Sequence, residues 1–134
     1  MGQGLQQTRN CIATAAAFVV ADLERSVNWY TEQLNFTSAR LDWSEHPTFS
    51  IVELEGAAIM LKEGEKARVA NRHHTPGEAM FDAYIWVRDL DKLALTIKVC
   101  GTPVFAGPTK RTYGCTELMV VDPDDYLICF GFCP

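Results

Sequence analysis

An α+β fold, built from two copies of a strand–helix–strand–strand–strand unit, is predicted by three features of this 134-residue chain. A hydrophobic stretch closing in Val20-Ala21-Asp22-Leu23 runs into an amphipathic helical pattern, and Val87-Arg88-Asp89-Leu90 does the same 67 residues later, half the length of the chain. Each half closes on a short apolar strand, Ala58-Ile59-Met60-Leu61 and Leu127-Ile128-Cys129-Phe130. Strands outnumber helices, and one helix falls in each copy, which points to a curved mixed sheet with the helices on its outer face. A repeat of this kind wraps a cup-shaped cleft between its copies, and the residues lining that cleft decide function.

The elements follow in order from local chemistry. Residues 1–10 are polar and are expected to be loose. Residues 11–20 are small and apolar with β-branched residues at the end, a strand; Asp22 then caps a helix whose buried stripe is Val27, Trp29, Tyr30 and Leu34, with Asn35 as its stop. Three strands follow at 36–42, 49–54 and 57–62, the last two joined by the tight turn Glu55-Gly56. A charged linker with Pro76-Gly77 near its end occupies 64–79, between a first module of about 11–63 and a second of about 80–132. The second module reads as strand 80–87, helix 89–99 stopped by Gly101, and strands near 104–105, at 116–121 and at 126–132, the last two joined by Asp122-Pro123-Asp124-Asp125.

Composition narrows the function. A 134-residue chain with 48% hydrophobic residues is one domain by size and can bury a proper core. A net charge of −5 without any dense Lys/Arg run argues against nucleic acid and against an anionic membrane surface, since phosphate binding needs a basic patch. The chain has no apolar run long enough for a membrane span and no signal-peptide pattern, so the expected place is the cytoplasm. The five cysteines, Cys11, Cys100, Cys115, Cys129 and Cys133, are odd in number and contain no Cys-x-x-Cys pair. They are therefore expected to be reduced, mostly buried thiols.

Val20 to Ser26 (Val-x-Asp-Leu-x-x-Ser), Trp29-Tyr30, Leu34-Asn35-Phe36, Trp86 to Asp91, and the ending Glu117 to Val121 with Asp122-Pro123-Asp124 resemble the vicinal oxygen chelate superfamily. That superfamily includes glyoxalase I, extradiol dioxygenases and the fosfomycin- and bleomycin-resistance proteins. The short acidic chain and Trp86-Val87-Arg88 look most like the bleomycin-resistance proteins. The resemblance implies βαβββ modules, each forming half of a cup, often completed across a two-fold dimer. Metal-dependent members carry His or Gln seven positions before the Asp of the Val-x-Asp-Leu signature, and Glu in the final strand of a module. The matching places here are Ala15 and Met60 in the first copy, Asp82 and Cys129 in the second. Only Asp82 and Cys129 can hold an ion, short of the three or four ligands that a catalytic metal needs, so neither a metal nor another cofactor is expected.

Alternation along the strands then fills the cup. If Asp82 faces inward as the resemblance implies, Tyr84 and Trp86 do too, and Cys129 brings Leu127 and Gly131; Met60 comes from the first module. Trp43 and Tyr113 are candidate rim residues, and Glu117 a candidate second anion or a strand-surface partner for Arg111. Such a lining suits an aromatic or cationic small molecule held by stacking and dispersion, with Asp82 fixing its orientation. Arg72, His73 and His74 read as a solvated loop. The leading expectation is a metal-independent binding protein that sequesters such a ligand in the clefts of a homodimer. The alternative is a metal-dependent lyase, isomerase or dioxygenase of the same superfamily, and a third reading is a protein-binding domain with a plugged cup.

Overall fold

The computed structural model describes residues 10–39, 45–66, 68–77 and 79–134. The first unit is β1 (Ala15–Val20), α1 (Leu23–Gln33), β2 (Thr37–Ala39), β3 (Phe49–Leu54) and β4 (Ala57–Glu63). A 3-10 turn, Asn71–His74, lies between the units. The second unit is β5 (Ala83–Trp86), α2 (Leu90–Cys100), β6 (Ala106–Lys110), β7 (Thr116–Val121) and β8 (Leu127–Phe132). The duplicated βαβββ plan is therefore present. It forms two four-stranded mixed sheets, ordered β1-β4-β3-β2 and β5-β8-β7-β6. In each, the first strand pairs in parallel with the last, because the helix carries the chain across before the hairpins fold back.

Local signals explain the boundaries. Asp22 and Asp89 cap their helices, each accepting a hydrogen bond at 3.0 Å from the backbone N–H three residues on, worth about 1 kcal/mol each. Asn35 and Gly101 follow α1 and α2 with φ of 61° and 74°, left-handed backbone that stops a helix. Glu55 and Gly56, at 49° and 92°, make the two-residue hairpin between β3 and β4. The second strand of the second unit begins at Ala106 rather than at 104–105, and its pairing with β7 slips between Ala106 and Thr109. Gly107 and Pro108 lie in that interruption, and an edge strand is where a proline without an N–H fits. The part of the expected strand beyond Ala39 lies outside the described residues.

The helix-facing sides of both sheets share one core. Phe18, Val20, Tyr30, Leu34, Ile59 and Leu61 meet Leu93, Ile97, Leu118, Val120, Ile128 and Phe130 in it. The turn Asp122–Asp125 fastens the units together. Buried Tyr30 donates to Asp122 Oδ2 at 2.8 Å, and Asp124 Oδ1 accepts from the Ala21 N–H at 3.0 Å. Tyr126 stacks on Phe18 at 4.3 Å between centroids and donates to the Val19 carbonyl at 2.7 Å. Asp125 holds the linker through Arg72 and, at 2.7 Å, through His73 Nε2, so the segment expected to be a solvated loop is tied to the second unit.

The thiol expectation needs correction. Cys115 and Cys133 form a disulfide. The register pairs Thr116 with Phe132, so the residues just outside that pair face each other with Cα atoms 4.3 Å apart. Nothing in the 18-residue separation announces this; the strand register does. Cys11 is exposed, Cys100 half-buried and Cys129 buried, all three as free thiols. Among the described residues, no helix is long and apolar enough to cross a membrane.

Candidate functional site

Ala83 and Ile85 of β5, Leu118 and Val120 of β7, and Ile128 and Phe130 of β8 pack into the core on the α2 side. Alternation sends their neighbours to the other face of the second sheet: Tyr84 and Trp86, Glu117 and Met119, Leu127, Cys129 and Gly131. Met119, Leu127 and Cys129 form an apolar floor there, with Phe81, Tyr84 and Ala106 against it. Trp86 and Glu117 both stand opposite Gly131, one across each neighbouring strand. Gly131 has no side chain, and Tyr84 takes that space: a Cβ on Gly131 would fall 1.8 Å from the Tyr84 hydroxyl oxygen. A glycine inside a strand allows this kind of close approach, which the sequence reading did not draw from Gly131.

Lying across Gly131, Tyr84 donates its hydroxyl proton to Glu117 Oε2 at 2.8 Å. Tyr113, from the loop before β7, donates to the same oxygen at 2.5 Å. The other oxygen, Oε1, is buried and has no hydrogen-bond partner among the described residues. The nearest cation is Arg111, whose Nε lies 3.7 Å away on a half-exposed side chain, beyond hydrogen-bonding distance. Burial first, and then the hydrogen bond and charge of Glu117, push the Tyr84 phenol well above its ordinary 10.0, and Tyr113 is raised for the same reasons. Both phenols thus keep their protons. Burial, reinforced by the Glu117 charge, pushes the Cys129 thiol up to about 12, so it remains an inert thiol at neutral pH.

Tyr84, Trp86, Cys129, Glu117 and Tyr113 are gathered on one face. Trp86 is 72% exposed, with its ring centroid 5.0 Å from that of Tyr84. Met60 lies on the first sheet, partly exposed, and Trp43 lies outside the described residues. Asp82, expected to orient a ligand, already has a backbone partner on each carboxylate oxygen. Its Oδ1 accepts from the Asn71 N–H at 2.9 Å and its Oδ2 from the Leu127 N–H at 2.8 Å, so both oxygens hold the linker turn against β8. The buried carboxylate with an oxygen that accepts no hydrogen bond is Glu117 on β7, two strands from β5. Beside β5 runs a groove of about 1010 Å³, bounded by residues 12–16, the Glu55-Gly56 turn and the start of α2, and Asp82, Tyr84 and Trp86 line it as well.

A metal ion does not fit these residues. Ala15 and Met60 offer no hard donor at the places of the first unit, which leaves Asp82, whose oxygens each accept a backbone N–H, and the soft Cys129 sulfur, two donors where a catalytic ion needs three or four. Among the described residues, no three His, Cys, Asp or Glu side chains gather where they could hold an ion.

The family model described as Glyoxalase/Bleomycin resistance protein/Dioxygenase superfamily matches residues 12–130. The chain belongs to that superfamily. Solved structures share the fold at low identity. TioX from Micromonospora sp. ML1 is 17% identical, with 92% of this chain and 100% of that one covered and a TM-score of 0.70. A glyoxalase-related enzyme from Clostridium phytofermentans is 11% identical over 96% and 99%, with a TM-score of 0.69. TnmS3, an antibiotic binding protein from Streptomyces sp. CB03234, is 19% identical over 95% and 99%, with a TM-score of 0.66. No curated protein sequence matches the chain. Membership in the superfamily fixes the scaffold, whereas function rests on the face just described.

Proposed function

We propose that this protein is a metal-independent binder that sequesters an aromatic or cationic small molecule against the Tyr84–Trp86–Glu117 face of its second sheet, in a cleft completed by a second copy in a homodimer. The observation that carries this reading is the pairing of an exposed aromatic surface with the failure of all four metal-ligand places. Trp86 and Tyr84 offer stacking area, and Met119, Leu127 and Cys129 give a dry floor beneath them. Likeness of fold to an antibiotic binding protein supports the same direction. A lyase, isomerase or dioxygenase would need a metal or a positioned acid–base pair, and both oxygens of Asp82 are engaged in hydrogen bonds within the fold.

The second copy has a physical reason. β1 and β5 are edge strands, and Trp86 on β5 leaves apolar area in water that a partner surface covers. A cytoplasmic location also belongs to this proposal. The closed Cys115–Cys133 bridge weighs against it, because a reducing compartment keeps such pairs open.

Metal analysis by plasma mass spectrometry, after separate incubation with Zn²⁺, Ni²⁺, Mn²⁺ and Fe²⁺ and dialysis, tests the proposal. Far less than one equivalent of every ion is the expected result. One retained equivalent per chain, with activity on a substrate that depends on it, would contradict the proposal.

A further inference from the structure

Glu117 is a carboxylate in a sheet interior with 1% of its side chain exposed, and one of its two oxygens has no hydrogen bond. An unsatisfied buried acceptor of this kind costs about 1–3 kcal/mol, and more when charged, so its retention calls for a use. The atoms around it specify that use. Tyr84 and Tyr113 each have one proton, and both protons go to Oε2. What the two phenols still present is lone pairs only. Cys133 Sγ, 3.6 Å from the Tyr84 oxygen, is in a disulfide and carries no proton to offer. Glu117 Oε1 and the Tyr84 and Tyr113 oxygens therefore form a surface of acceptors, and what complements it is a group made of donors.

Arg111 does not fill that role. Its Nε stops 3.7 Å from Oε1, and its side chain is 44% exposed, so it faces the buried carboxylate as a counter-charge from beyond hydrogen-bonding distance. On the other side of Gly131, Trp86 and Tyr84 present the aromatic area. Trp86 and Glu117 stand two strand spacings apart, about 10 Å, which matches a bicyclic ring bearing a short side chain.

We infer that Glu117, with the phenol oxygens of Tyr84 and Tyr113, is an acceptor subsite that takes the protonated nitrogen of a planar aromatic amine whose ring lies against Trp86 and Tyr84. The ammonium supplies the donor that Oε1 lacks and displaces the Arg111 side chain toward solvent. This inference rests on the ligand-binding reading above and adds the chemical class and the residue that selects it.

The test uses two probes of the same shape, 2-naphthylmethylamine, which is an ammonium at neutral pH, and 2-(methoxymethyl)naphthalene, which has no donor. Both are titrated calorimetrically into wild-type protein, Glu117→Gln, Arg111→Gln and Trp86→Ala. Wild type is expected to bind the amine at least tenfold more tightly than the ether, Glu117→Gln to erase that preference, and Arg111→Gln to tighten the amine about threefold by removing the competing cation. Because Arg111 is half-exposed, its variant folds whatever becomes of Glu117→Gln. Equal binding of the two probes to wild type, an intact preference in Glu117→Gln, or weaker amine binding in Arg111→Gln each overturns the subsite. If the probes bind equally and Trp86→Ala weakens both, the subsite falls and the binding face stands; if neither binds at millimolar concentration, both fall.

Discussion

The two units share a backbone plan and differ in what they place on the face away from the helices. Register puts Ala17, Met60, Lys62 and Phe49 of the first unit where the second has Tyr84, Cys129, Gly131 and Glu117. In the first unit a small residue on the edge strand leaves room for a long one on β4. In the second, a large aromatic lies across a glycine on β8 and reaches a carboxylate on β7 where the first has a phenylalanine. The staple is also one-sided, for Pro47 and Gly64 stand where the second unit has Cys115 and Cys133. The two units thus share a scaffold and differ by a reciprocal exchange of large and small residues, with a buried carboxylate on the second face where the first has Phe49.

The staple and the neighbouring glycine should show the largest differences between the units. Cys133→Ser is expected to lower stability by about 3 kcal/mol for a loop of this length, measured by urea denaturation without reductant, and to have almost no effect with it. Gly107→Ala should cost about 3 kcal/mol, because its φ is 97° and the new Cβ would fall 2.2 Å from the Glu117 carbonyl oxygen. Gly56→Ala in the first unit meets open space and keeps only the backbone strain, about 1 kcal/mol. Equal losses at Gly107 and Gly56 would break the asymmetry.

A smaller effect belongs to the joint that holds the units in one body. Burial pushes the Asp122 carboxyl from 3.8 up to about 6, against hydrogen bonds from Tyr30, Tyr126 and Asp124 that pull it down. A raised value means that the folded chain binds this proton more tightly than the unfolded chain. Its stabilising contribution is therefore complete below about pH 4 and is lost as the pH rises through about 6. Asp122→Asn keeps an acceptor for the Asp124 and Tyr126 N–H groups and cannot ionise. Relative to wild type it should gain about 2 kcal/mol between pH 4 and pH 7, read from urea midpoints across that range; a difference that does not change with pH would contradict this assignment.

The smallest effects separate the two faces most cleanly. Gly131→Ala must displace the Tyr84 ring from Glu117, and it should cost about 1–2 kcal/mol with a change in the near-ultraviolet dichroism of tyrosine. Lys62→Ala, at the matching place of the first unit, removes only an exposed hydrogen bond to Thr48 and should stay within about 0.5 kcal/mol of wild type.

The repeat, the two aspartate caps, Asn35, Gly101 and the Glu55-Gly56 hairpin were legible in the sequence because each is a local backbone requirement. Much of the face was legible too, since alternation alone sets Tyr84 and Trp86 together. Residues joined by register were not. The Cys115–Cys133 bridge and the path of Tyr84 over Gly131 to Glu117 depend on how β7 and β8 slide past each other and on β5 beside them, which no short motif encodes. Asp82 shows the converse limit. Its place just before β5 was readable, but the backbone N–H groups of Asn71 and Leu127 that occupy it arrive from 11 and 45 residues away.

The most direct test of the second unit as a metal-free recognition face is an amide chemical-shift titration with 2-naphthylmethylamine in the presence of a chelator. The largest changes are expected at Tyr84, Trp86, Glu117 and Gly131. Changes that appear only after a divalent metal is added, or that centre on the separate 420 Å³ cavity around Asp22, His46 and Glu63 of the first unit, would contradict it.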